Sequence, residues 1–440
     1  MSPRLLRWLH PGIGVKRWVA LVVGSACLTV LGLFIALGKD LITEIYRKLL
    51  SSFPYQNLIT VLAVLLMVLG VVGIVLGVQR ALRSIVRGIS AEAEGRTGEI
   101  LYEQRLLKRG PKIVAVGGGT GLPSLLRGLK AYTSNITAIV TTMDDGGSSG
   151  RLRRERNMLA PGDIRNNLIA LAEDESSIGR LFQHRFAGDV KSSLDGHSLG
   201  NLVLAGLQEM NGSFDKAIEE LSLILKTRGR VLPSTLDHAE LCAQMEDGSV
   251  VVGECNIPEV RKRVHRVFLN KEHVKPYPKA LEAIRQADII ILGPGSLFTS
   301  LIPNLLVTGL AHEIEAAGAK KFYVTNLMTQ PGETDGFTLS DHLKALEPYI
   351  DIHTFDFVIV NSEPVPEDLF KRYKAEGQVP VVNDLRNSSR DGLQVVPTKL
   401  LDIVELEDKL TIKHHSRRLA AVIARCARDE FQTSLMPKLF

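Results

Sequence analysis

Two adjacent carboxylates, Asp144 and Asp145, open the run Asp-Asp-Gly-Gly-Ser-Ser-Gly that follows the apolar residues 136–142. An apolar run ending in small polar residues reads as a buried parallel strand that delivers side chains to the carboxyl edge of a sheet. There an acid can bind ribose hydroxyls, and the hydroxyls and N–H groups of Ser148 and Ser149 can hold an anion. Turn capping is the plain alternative for the aspartates. Asp163, in the segment Pro161-Gly-Asp-Ile-Arg-Asn-Asn167, either caps a helix N-terminus or binds the ligand, and Arg165 and Asn166 could face the same crevice. In Gly196-His-Ser-Leu-Gly-Asn201, Asn201 is the better ligand candidate. His197 is an acid/base, a donor to phosphate, or a satisfied structural histidine. Arg151 and Arg153 either lie on a solvated helix face or reach a phosphate.

The elements that must position these groups start from KIVAVGGGTG, residues 112–121. It reads as a buried strand running into a glycine loop and then a helix, with Leu122, Leu125, Leu126 and Leu129 on one apolar face. Gly118, Gly119, Thr120 and Gly121 would expose backbone N–H groups at a helix N-terminus, a ready anion site. The loop lacks the Lys-Ser/Thr of a P-loop, and Leu122 stands where the third glycine of GxGxxG would be. Leu122-Pro123 also breaks the tubulin-like pattern. A second strand-to-glycine junction follows residues 289–292, and Gly293, Gly295 and Ser296 there should meet a phosphate or a base edge. A strand at 321–326 leads into a polar loop containing Asn326 and Thr329. Another strand spans 357–360, and helices are expected at 367–376, carrying Tyr373, and at 416–429. Between the two junctions the apolar period changes to two over residues 239–257, with Glu246-Asp247-Gly248 as a hairpin turn. These units predict an α/β, Rossmann-like, doubly wound and mostly parallel sheet with a β-rich insertion and one crevice.

The 440 residues carry a formal charge of +5, and mean hydropathy is +0.10, so the apolar excess should be concentrated. Residues 18–38 and 58–78 are uncharged runs long enough for two transmembrane helices. Basic residues on both outer flanks put the ends on the cytoplasmic side. The expected plan is a membrane region at 1–87, a stalk at 88–111 and a cytoplasmic domain at 112–440, in a multi-pass cell-membrane protein. The four cysteines show no metal-ligand spacing and read as reduced thiols. Basic runs without interleaved aromatics give no nucleic-acid platform.

The segments GGGTGLP, DDGGSSGRLR, PGDIRNNL, FQHRF, GHSLGN, GPGSLFTSLIPNL and NLMTQPGET occur in that order. Together they resemble the YvcK-type gluconeogenesis factor family, which is related to CofD, the 2-phospho-L-lactate transferase. The resemblance covers residues 112 to about 429. It implies a domain that binds a UDP-sugar, UDP-N-acetylglucosamine above all, and supports cell shape and cell-wall synthesis during gluconeogenic growth without an established reaction. A homodimer is expected on the same ground. By motif, residues 118–121 and 293–296 would surround the diphosphate, and Asp144, Asn166 and Asn201 would line the crevice. Tyr373 and Lys413 would hold the ligand from the C-terminal side, where the family's usual arginine is lysine. The CofD alternative implies phospholactyl transfer from a guanosine diphospho-donor to a deazaflavin. Magnesium would then be the cofactor and Asp144 a metal ligand. The regulator reading implies no firm cofactor and no catalytic residue.

Overall fold

The computed structural model describes residues 16–37, 56–87, 106–186, 194–385, 392–406 and 409–429. It separates into two compact units, 1–105 and 106–440. In the first, helices Lys16–Leu37 and Gln56–Arg87 pack on each other. A Cβ at Gly70 would come within 2.9 Å of the Ser25 carbonyl oxygen, so glycine allows the close approach there.

Helices therefore occupy both runs expected to span a bilayer. Among the described residues, however, no single helix is long and apolar enough to cross a membrane. The expectation of two transmembrane helices at 18–38 and 58–78 thus finds no support in the structure. Residues 1–15, most of the 39–57 connection and the stalk up to 105 lie outside the described residues.

The second unit is built on a seven-stranded sheet. Numbered in chain order, its strands are β1 (Ile113–Gly117), β2 (Ile136–Val140), β3 (Arg230–Pro233), β7 (Ile289–Leu292), β8 (Lys320–Val324), β9 (Phe357–Asn361) and β10 (Gln394–Thr398). Their order is β10-β9-β8-β7-β1-β2-β3, and every neighbouring pair is parallel. Alternate residues feed two apolar layers. Ile113, Ala115, Ile289 and Ile291 enter one, and Val114, Val116, Ile290 and Leu292 enter the other. Full burial of each such side chain larger than alanine stabilises by about 1.5–3 kcal/mol, which holds the central strands and the ends of their loops in place.

From β1 the chain proceeds outward to β2 and β3, then returns to place β7 on the other side of β1. Strand order reverses between β1 and β7, and at such a point the loops leave in opposite directions and open a crevice. The β-rich insertion is a three-stranded antiparallel sheet, ordered β5-β4-β6, of β4 (Leu241–Met245), β5 (Val250–Val252) and β6 (Val264–Leu269). A further hairpin, β11 (Leu401–Leu406) and β12 (Lys409–His414), precedes the last helix, Ser416–Cys426. The sequence reading did not anticipate that hairpin or β10.

Candidate functional site

The loops after β1 and β7 meet at the switch point. A Cβ on Gly121 would fall 2.7 Å from the Pro294 carbonyl oxygen, so the two loops touch backbone to backbone. Beside them lies a cavity of about 300 Å³. Thr120, Gly121 and Ser124 of the first loop and helix, and Pro294, Gly295 and Ser296 of the second, form its floor. The polar loop after β8 supplies Asn326, Thr329 and Gln330. Tyr373 and Lys413 also line the cavity. Eight of the residues singled out in the sequence therefore share one cavity: Thr120, Gly121, Gly295, Ser296, Asn326, Thr329, Tyr373 and Lys413.

The unforeseen hairpin supplies part of the lining through β12. Ile412 N–H donates to Tyr373 Oη at 2.9 Å, and the buried His414 pairs through Nε2 with the Thr325 carbonyl at 3.1 Å. Burial drives the His414 pKa down to about 4, so its ring is neutral. Lys413, on the same strand, is half-buried, and desolvation followed by the Arg127 charge lowers its pKa. On the β8 side, Asn326 Nδ2 donates to Gln330 Oε1 at 3.1 Å, and Gln330 Nε2 donates to Ser296 Oγ at 2.6 Å. Thr329 is bound up structurally, its hydroxyl accepting the Val379 N–H at 3.0 Å.

The remaining candidates form a polar wall that the cavity does not include. Gly119 has a left-handed backbone, φ +64°, and its N–H donates to Asp163 Oδ2 at 2.6 Å. Asp163 is therefore not the expected N-cap of helix Gly162–Leu171, whose cap is Pro161; it ties that helix to the first glycine loop instead. Desolvation, partly offset by the Gly119 bond, raises its pKa to about 6. Asp144 Oδ1 accepts the Gly146 N–H at 2.9 Å, the turn role, and Asp145 Oδ1 accepts the Cys255 N–H at 3.0 Å. The Asp144 pKa is raised, chiefly by desolvation. Ser149 bonds Asp144 and lies against Gly162.

Asn201 is committed within the protein. Its Nδ2 donates to Ser148 Oγ at 3.0 Å and its Oδ1 accepts from Arg165 Nη1 at 2.7 Å. Ser148 also pairs with His197 Nδ1 at 2.9 Å, and Asn166 Oδ1 accepts from Arg165 Nη2 at 2.8 Å. Asp144, Asn166 and Asn201, expected on the crevice, are not among the lining residues of this cavity, and a buried guanidinium and a buried serine take polar atoms of Asn166, Asn201 and His197. Arg151 and Arg153 likewise bond the carbonyls of Asp195 and of Met143 and Ala239 rather than standing free. Gly118 and Gly293 pack tightly, Gly118 against Asp163 and Gly293 against the Val324 carbonyl.

Three groups were not assigned from the sequence. Glu333 is 4% exposed. It accepts the Thr299 hydroxyl at 3.2 and 3.3 Å and the backbone N–H groups of Phe298 and Thr299. Burial lifts its pKa to about 7. Glu254, which desolvation and the nearby Asp144 charge push to about 8, and Cys255 converge with Asp144, their ligand atoms all within 4.8 Å of one another. Glu333 stood inside a polar run already read as a loop; a buried acid in such a run leaves no periodicity to detect.

The decisive comparison is with a family model for CofD, described as 2-phospho-L-lactate transferase CofD, which matches residues 113–401. The chain belongs to the CofD family. Within it, the relatives are named gluconeogenesis factors. The chain is 47% identical over 319 residues to the gluconeogenesis factor of Bacillus subtilis, covering 72% of this chain and 99% of that protein. It is 41% identical over 425 residues to a Nostoc protein provisionally given the same name, covering 95% of this chain and 92% of the relative. The solved structure of a UPF0052-family protein from Bacillus halodurans matches with a TM-score of 0.67 at 44% identity, covering 71% of this chain and 98% of that one. The CofD-family match spans both glycine loops, the carboxylate wall and Tyr373, and stops at the first residue of β11. Lys413 and the strand that carries it lie beyond it.

Proposed function

We propose that this protein is a UDP-sugar-binding regulator, with UDP-N-acetylglucosamine the foremost ligand, that supports cell shape and cell-wall synthesis during gluconeogenic growth. The observation that carries the reading is the cavity at the switch point. Its lining offers a helix N-terminus with small hydroxyl and glycine residues, which suit a diphosphate. It also offers Tyr373, Gln378 and Lys413, which suit a hydroxyl-rich group. The names of the relatives, gluconeogenesis factors, favour the link to gluconeogenic growth. Tethering to the cell membrane through residues 16–37 and 56–87, with the larger unit in the cytoplasm, and assembly as a homodimer belong to the same proposal. Partners in the wall-synthesis machinery would follow from it.

Calorimetric titration of the full-length protein in detergent with UDP-N-acetylglucosamine, UDP-glucose and GDP tests the ligand. Saturable binding of a UDP-sugar, weakened in Tyr373→Ala, is expected; no saturable binding of any UDP-sugar would sink the reading. For the tether, carbonate washing of membranes should leave the protein in the pellet, and release into the wash would remove it.

A second reading, phospholactyl transfer of CofD type, is favoured by one feature. The Asp144 and Glu254 carboxylates are hard oxygen donors of the kind magnesium takes, although the neighbouring Cys255 thiol is not. Those two carboxylates would hold the ion, which would neutralise charge on a phosphoryl group. A magnesium-dependent phosphodiester product from donor and deazaflavin, seen by mass spectrometry, would put this reading first.

A further inference from the structure

Beside the cavity, on the polar wall that does not line it, a carboxylate is seated on the same glycine loop whose Thr120 and Gly121 do line it. Gly119 is turned outward and its N–H points at Asp163 Oδ2, 2.6 Å away. The same oxygen lies 2.6 Å from where a Gly118 Cβ would stand, so the carboxylate rests directly on the loop backbone. Asp163 is only partly covered. On the same side, an Asp144 oxygen lies 3.1 Å from where a Gly162 Cβ would stand, and Glu254 joins Asp144. The Arg165 charge offsets this in part, though its hydrogen bonds go elsewhere. Arg165 is spent on Ser198, Asn201 and Asn166, and Arg153 on backbone carbonyls. Lys413 is the one lysine or arginine among the cavity's described lining residues.

This arrangement tolerates some phosphates better than others. In a nucleotide sugar each phosphorus is a diester with one negative charge, and no terminal phosphoryl group is present. In free UDP or UTP the terminal group carries between one and two charges near neutrality and presents its oxygens without an ester cover. Specificity by repulsion needs a fixed like charge where the wrong ligand's extra charge would fall.

We propose that Asp163 is a specificity-determining residue whose carboxylate, held on the Gly119 amide, admits the internal diphosphate of a nucleotide sugar and rejects the terminal phosphoryl group of a free nucleotide. The inference rests on the UDP-sugar reading of the cleft. It predicts a wild-type preference for UDP-N-acetylglucosamine over UDP and UTP in the presence of a chelator. It also predicts that the preference resides in one charge.

The test compares full-length wild type, Asp163→Asn and Asp163→Ser. Dissociation constants for UDP-N-acetylglucosamine, UDP and UTP are measured in detergent with a chelator, and melting curves confirm folding. Both variants lose the charge, and Asp163→Asn keeps an acceptor of the same reach for the Gly119 N–H. UDP and UTP should tighten by about tenfold and the UDP-sugar by less than about threefold, as expected for removing one like-charge contact. The inference is overturned if the UDP-sugar binds and the ratio between ligands is the same in all three proteins. Should Asp163→Asn not fold, Asp163→Ser decides alone. If no UDP-sugar binds wild type or variants, the cleft reading fails and takes the inference with it, a result distinct from an unchanged ratio.

Discussion

The loops after β1 and β7 use one device in two ways. Each leads from a central strand into a helical segment, and each has backbone N–H groups satisfied by a carboxylate from another segment of the chain. Glu333 serves the second loop from full burial, with a hydroxyl and two backbone N–H groups on its carboxylate. Asp163 serves the first from a partly exposed position, through one amide. Where water is excluded, the carboxylate completes the scaffold, because nothing else can satisfy those donors. Where water and ligand can reach, the same contact is adjustable. Exposure, rather than residue type, separates support from recognition at this cleft.

The largest expected effect tests the supporting half. Glu333→Ala leaves the Thr299 hydroxyl and two N–H groups unpaired in the interior, and each such orphan costs about 1–3 kcal/mol. Urea unfolding should show a loss of about 3 kcal/mol; a loss below about 1 kcal/mol would erase the contrast with Asp163. The pH dependence tests the same site. The Glu333 pKa rises from 4.5 to about 7 on folding, so between those values the folded state binds more protons than the unfolded one. Its contribution is therefore fully present below about pH 4.5 and is lost as pH rises through about 7, by about 3 kcal/mol in all. Glu333→Gln should remove that slope from a stability-against-pH series, and an unaltered slope would show that another group causes it.

Gly121→Ala comes next, because its Cβ would sit 2.7 Å from the Pro294 carbonyl. Forcing the loops apart should cost about 1–3 kcal/mol and weaken UDP-sugar binding as well. Retained affinity would mean that the junction is not part of the ligand site. Asp163→Ala should lower stability by only about 1 kcal/mol, since water can replace the carboxylate on Gly119. A loss equal to that of Glu333→Ala would make both loops scaffold.

Much of the parallel sheet was legible because its strands are short apolar runs followed by glycine or small polar residues, as at 113–117 and 289–292. The insertion was legible from the change to period two around Glu246-Asp247-Gly248. The β11–β12 hairpin was not. Its residues alternate, but charged Asp402, Glu405, Lys409 and Lys413 break the apolar signal, and its inner face is completed by Tyr373 and Thr325 from distant segments. Site prediction divided along the same line. Residues on a loop at a strand end reached the cavity, as Gly295 and Asn326 did. Asn201 and His197, chosen for chemical type, became internal partners of Arg165 and Ser148. Spacing gives the edge of the sheet on which a residue emerges, but not which buried neighbour takes its hydrogen bonds.

The smallest effect asks whether recognition extends beyond the glycine loops to that hairpin. Lys413 lies on β12 and lines the cavity, on the strand fixed by the Tyr373 and His414 contacts. A lysine offers a point charge, whereas arginine offers a planar fork. Lys413→Arg should therefore tighten UDP-sugar binding about two- to threefold, and Lys413→Ala should weaken it about tenfold, both by titration at fixed ionic strength. Neither change should move the unfolding midpoint appreciably, because the half-exposed amine supports no buried contact of the hairpin. Equal affinities in all three proteins would confine recognition to the loops after β1, β7 and β8. The hairpin would then be a cover, and the comparison between glycine loops would account for the whole site.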